Sequence, residues 1–150
     1  TQGLLIVGAH SRLGYVFYRA GRYDDAIAAY RKELEYLSVS DHALRERTLV
    51  ELHQKLSAAF TRAGQHEEAA AHADRAARLF DARLSAGADD AFTRYYMAAL
   101  HALRGDAEQA VGHLRRPLAE LGPLTRWRLP RDPDFDPVRP ALSALGVSPA

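Results

Sequence analysis

The sequence predicts an all-α protein, an array of three helical hairpins closed by a C-terminal segment. Two observations predict it. Apolar residues recur at three- and four-residue spacing through six successive stretches, which stacks side chains on one face of a helix. The stretch Leu13–Leu37 folds back on itself at Gly21, and the same arrangement returns at Gly64 and Gly105, after 43 and then 41 residues. A period in that range marks a stacked array, because a single hairpin cannot bury its own apolar faces.

The first helix is expected over Leu4–Ala20, with Gly8 weakening its early part and Leu13, Val16, Phe17 and Ala20 as its apolar face. Gly21 follows the last periodic residue, where glycine adopts a left-handed backbone at least cost. Asp24 and Asp25 then lie in the first turn of the second helix, facing its positive dipole end, and Ala26, Ile27, Tyr30, Leu34 and Leu37 form its buried stripe. Ser40 or Asp41 is the expected N-cap of a third helix over His42–Ala63, and an alanine-rich fourth covers His66–Leu84. Asp89 is the expected cap of a fifth helix, marked by Phe92, Tyr96, Ala99, Leu100 and Leu103. The sixth carries Ala107, Ala110, Val111, Leu114, Leu118 and Leu121. Pro117 falls inside it and predicts a kink or an early stop, since proline removes a donor and crowds the preceding turn.

This places the repeat array at 1–122, with hairpins at about 4–37, 42–84 and 89–121. Residues 123–150 form a proline-rich tail in which Asp136-Pro137 opens a short helix, 137–145, faced by Val138, Leu142 and Leu145. An end repeat exposes an apolar flank, and the tail is expected to cap it.

Composition narrows the function. The formal net charge is +1, which calls for neither nucleic acid nor an anionic membrane. There are no cysteines, hence no disulfide, thiolate zinc site or cysteine nucleophile. No apolar run reaches bilayer length. The opening Thr1–Val7 lacks the basic start of a signal peptide, so a cytoplasmic location and a piece of a longer protein are expected.

The hairpins resemble the tetratricopeptide repeat. Its large-small pair, aromatic, glycine turn, small residue and second aromatic stand here as Leu13-Gly14, Phe17, Gly21-Arg22-Tyr23, Ala26 and Tyr30. The second unit offers Leu56-Ser57, Phe60, Gly64, Ala69 and Ala76, with Ala73 in place of an aromatic. In the third, Ala98, Gly105, Ala110 and Leu114 fit, His101 stands for an aromatic and Pro117 for a small residue. The resemblance covers about 4–121 and implies a right-handed superhelix in which Gly14/Ala26, Ser57/Ala69 and Ala98/Ala110 let paired helices cross closely. The run 131–139 is similar to segments that follow such repeats in bacterial multidomain signalling proteins.

The resemblance also implies a concave groove lined by the first helix of each hairpin. Carried over, its positions are Arg12, Tyr15, Tyr18 and Arg19, then Gln54, Lys55, Ala58 and Arg62, then Tyr95 and Ala99. This basic and aromatic lining suits an acidic or amphipathic peptide, so the expected role is a protein-interaction scaffold or regulatory module. Ser11, Tyr15 and Ala58 occupy positions where a carboxylate clamp needs lysine and asparagine, which argues against that partner class. Asp132, Asp134 and Asp136 have the alternation of a calcium loop, but Pro137 and Ser143 stand where glycine and glutamate are required. The seven histidines show no helical i,i+4 pair, and no nucleophile elbow or phosphate-binding glycine loop is present. No catalytic site, metal or cofactor is expected. The alternatives are a ligand- or peptide-sensing domain of a larger signalling protein, and a self-association module that buries flanks such as Leu4-Leu5-Ile6-Val7 in a homodimer.

Overall fold

The computed structural model describes residues 8–40 and 44–147. The run Leu4-Leu5-Ile6-Val7, the expected cap Asp41 and the expected helix start at His42 lie outside the described residues. Among the described residues every regular element is helical: α1 (Ala9–Arg19), α2 (Tyr23–Val39), α3 (Arg45–Arg62), α4 (His66–Ser85), α5 (Ala91–Leu103), α6 (Ala107–Glu120), α7 (Gly122–Arg128) and α8 (Arg139–Ser143). Two 3-10 turns, Leu129–Arg131 and Pro133–Val138, fall between the last two. The chain divides into two compact units after Leu79.

The three glycine turns are built alike. Gly21, Gly64 and Gly105 have φ of 77°, 77° and 75°. Each helix ends in the same hydrogen bond, in which the residue after the glycine donates back to a carbonyl five residues earlier. These are Arg22 N to Phe17 O at 2.9 Å, Gln65 N to Phe60 O at 2.9 Å and Asp106 N to His101 O at 3.0 Å. The bonds satisfy helix-end carbonyls that would otherwise be orphaned, and a Cβ at the left-handed position would be strained.

In the first unit, α1 packs on α2 through its smallest residue. A Cβ on Gly14 would lie 2.5 Å from Cε1 of Tyr30, so ring and backbone touch directly. This decides which face is buried. Ser11, Gly14 and Tyr18 point inward, whereas Leu13 and Val16, expected to be buried, are 48% and 63% exposed. Both faces of α1 carry apolar residues at helical spacing, and the face that admits the closest approach wins. Gly8 starts α1 with φ 93°. With no side chain to cap the helix, Glu33 of α2 supplies the acceptor: its Oε1 takes N–H bonds from Gly8 at 3.0 Å and Ser11 at 3.3 Å. On α2, Ala26, Ile27, Tyr30 and Leu37 are buried, and Ser40 ends that helix in extended backbone instead of starting the next. Helix α3 starts at Arg45 after Leu44, without a side-chain cap, and is buried on every side from Leu52 to Phe60.

In the second unit, the helix start belongs to Asp90, not Asp89: Asp90 Oδ1 accepts from Thr93 N at 2.8 Å. Asp89 instead pairs with Arg94 at 2.8 Å and Arg116 at 3.2 Å. Helix α6 runs through Pro117 to Glu120 without the early stop expected. The Pro117 carbonyl accepts from Leu121 N at 2.8 Å and Thr125 Oγ1 at 3.1 Å. Gly122-Pro123 opens α7, with proline in the first turn where its missing N–H costs nothing. The tail turns back from there. Leu129, Phe135, Val138, Leu142 and Val147 join Tyr95, Tyr96, Ala98 and Leu114 in one core. Each large apolar side chain buried this way contributes about 1.5–3 kcal/mol. The closing helix is shorter than expected, because Asp132 caps a 3-10 turn through Asp134 N and α8 proper spans only Arg139–Ser143.

Candidate protein-binding surface

Arg12, Tyr15 and Arg19 follow one another at three and four residues along α1, which puts them on one helix face. Arg12 and Arg19 are exposed and Tyr15 is half-buried. Neither arginine has a hydrogen-bond or ion-pair partner among the described residues. From α3, Lys55 Nζ lies 5.2 Å from the Tyr15 ring centroid, a cation–π contact, and 2.9 Å from Glu51 Oε1. Arg62, exposed, ends the same helix. The first unit therefore presents two exposed arginines on α1 on either side of Tyr15, with Lys55, itself only 8% exposed, packed against that ring.

Five residues expected on the groove are placed elsewhere, and two of them, Ala58 and Ala99, are each 1% exposed. Tyr18 is 4% exposed, its ring 6.2 Å from Tyr15 and 5.7 Å from Tyr23. Gln54 is 1% exposed. Tyr95, in the second unit, is covered by the tail: its hydroxyl donates to Asp132 Oδ2 at 2.7 Å and its ring lies 5.5 Å from Phe135. The Arg128 guanidinium sits 4.4 Å from the same ring. These five are covered by packing and do not offer side chains to a partner. The acidic run is likewise structural. Asp132 accepts from Tyr95 and from Asp134 N, while Asp136 pairs with Arg139 at 2.7 Å.

The histidines, by contrast, do come together, across helices instead of along them. His53 of α3 and His72 of α4 share a hydrogen bond between their Nδ1 atoms at 2.9 Å, with ring centroids 5.2 Å apart. Phe60 stacks on His72 at 5.4 Å. In the second unit His101 stacks on His113 at 5.3 Å, and Arg94 Nη1 donates to His113 Nδ1 at 3.1 Å. Because arginine only donates, the His113 ring is neutral with its proton on Nε2. Burial first, then His72 and Arg75, lowers His53 to about 4. Burial first, then His101 and Arg94, lowers His113 to about 4 as well. The signal was present as repeat register: His72 and His113 each stand eight residues past a turn glycine, and Phe60 and His101 four before one. Reading each helix separately hides it.

Two segments match family models for the tetratricopeptide repeat, residues 7–37 and residues 91–116. The chain therefore carries tetratricopeptide repeats in these two segments. The matched segments carry the first and third glycine turns, and the middle turn shares their bond pattern. No curated protein and no solved structure matches the chain. Tetratricopeptide repeats generally mediate protein–protein interaction and scaffolding without catalysis. Among the described residues no helix is long and apolar enough to cross a membrane.

Proposed function

We propose that this tetratricopeptide repeat protein is a scaffold or regulatory module that captures an acidic peptide or partner domain on the α1–α3 face of its first unit. The observation that carries the reading is the strip of Arg12, Tyr15 and Arg19 with Lys55 beside Tyr15. Exposed guanidiniums grip carboxylates in bidentate fashion, and Tyr15 gives an apolar or cationic side chain a flat contact. Arg62 extends the basic character along α3. The surface steers acidic partners by long-range attraction, so capture weakens as salt rises. The test is a pull-down from the source lysate, comparing the wild type with an Arg12→Glu/Arg19→Glu/Arg62→Glu variant whose fold is checked by circular dichroism. The expected result is a partner retained by the wild type and lost, or weakened by about tenfold or more, in the folded variant. A partner bound equally by both would refute the assignment.

A second reading, self-association, is favoured by Leu13 and Val16, which present an exposed apolar edge on α1. It predicts a dimer in sedimentation analysis that Leu13→Asp/Val16→Asp converts to a monomer. A wild type that stays monomeric at high concentration removes this reading and leaves the first intact.

A further inference from the structure

Within the first unit an open cleft of about 310 Å³ is lined by His53, Arg75, Arg78 and Leu79. Arg75 and Arg78 are three residues apart on α4, so both guanidiniums stand on one side of that helix. Neither has a hydrogen-bond or ion-pair partner among the described residues. His53 is 5% exposed, with Nδ1 committed to His72. Its Nε2 is the polar atom left for a ligand.

We propose that this cleft binds a phosphate group. Two unpaired guanidiniums match a phosphate dianion in charge and in fork geometry, where a carboxylate would neutralise only one of them. The neutral imidazole adds a donor without a further charge. The volume exceeds that of a bare phosphate and leaves room for the group that carries it. The arrangement also selects one proton pattern. A phosphate oxygen accepts from His53 Nε2–H only if His53 Nδ1 is the acceptor, so His72 must donate through its own Nδ1–H. Binding thus freezes the shared hydrogen bond in one direction.

Calorimetric titration of the full chain at pH 7.5 with inorganic phosphate and with O-phosphoserine tests the proposal, with the Arg75→Gln/Arg78→Gln variant alongside. Both arginines are exposed, and circular dichroism checks that the variant folds. The expected result is saturable binding by the wild type, weakened about tenfold or more in the variant. Long-range nitrogen-15 correlation spectra should show the His53 proton on Nε2 in the complex. Tighter binding of phosphoserine than of phosphate assigns the site to a phosphomonoester on a larger body. Equal binding of the two assigns it to free phosphate. Absence of saturation by either probe, or equal affinity in the variant, overturns the proposal.

Discussion

Two helical glycines should respond to the same substitution with opposite signs. Gly14 in α1 and Gly112 in α6 both have helical backbone, so Gly→Ala gains about 0.5–1 kcal/mol of helix propensity at each. Around Gly112 a new Cβ meets nothing within 4 Å, and the gain is kept. At Gly14 the Cβ would lie 2.5 Å from Cε1 and 2.6 Å from Cδ1 of Tyr30. Real Cβ contacts do not come that close, so either the Tyr30 ring or the α1 backbone must move. Tyr30 is 1% exposed and cannot swing into solvent. Overpacking of this kind costs about 1–3 kcal/mol. Gly112→Ala should therefore stabilise the protein by about 0.5–1 kcal/mol. Gly14→Ala should range from neutral to about 2.5 kcal/mol destabilising. Propensity cancels when the two variants are compared, so their difference isolates the packing cost of the α1–α2 contact. Chemical denaturation followed at 222 nm measures both. Equal midpoints for the two variants would show that α1 does not rest on the Tyr30 ring and would refute the account of why Leu13 and Val16 face outward.

The neutral, buried histidines predict a stability that falls on mild acidification. The folded pKa values of His53 and His113 lie near 4, below the ordinary 6.5. Between those limits the unfolded chain binds protons that the folded chain refuses, so stability is intact above pH 6.5 and is lost as pH falls toward 4. His53 alone accounts for about 1–3 kcal/mol of that loss. Denaturant midpoints at pH 7.5 and 5.0 check it, and no change between them would contradict the buried arrangement. Asp89, lowered from 3.8 by its hydrogen bond with Arg94, acts in a more acid window and leaves this one clear. Tyr95→Phe removes a donor from buried Asp132 and should destabilise the second unit by about 1–2 kcal/mol. Proteolysis within the tail, compared for wild type and variant, shows whether the tail loosens with it.

The sequence by itself determined the helical hairpins and their turns. Helix period, glycine in the left-handed position and the small pairs Gly14/Ala26 and Ala98/Ala110 are local signals, each expressed within a few residues. The exposure of Arg12, Arg19 and Arg62 was legible for the same reason, since they lie on faces that packing leaves uncovered, whereas Tyr15 is half-buried between Lys55 and Tyr18. What only the tertiary structure decided involves competition between faces or contacts from distant segments. α1 has two apolar faces, and periodicity cannot rank them; the closeness of Gly14 to Tyr30 does. Asp89 and Asp90 are equally good caps on paper, and Arg94 and Arg116 draw Asp89 away. Tyr95 looks like a groove residue until Asp132 and Phe135, which follow it by 37 and 40 residues, cover it. The pairing of His53 with His72 spans two helices, so it exists only once the hairpin has closed. Local periodicity sets which segments are helices, and the geometry of close approach between them sets which side chains are left to meet a partner.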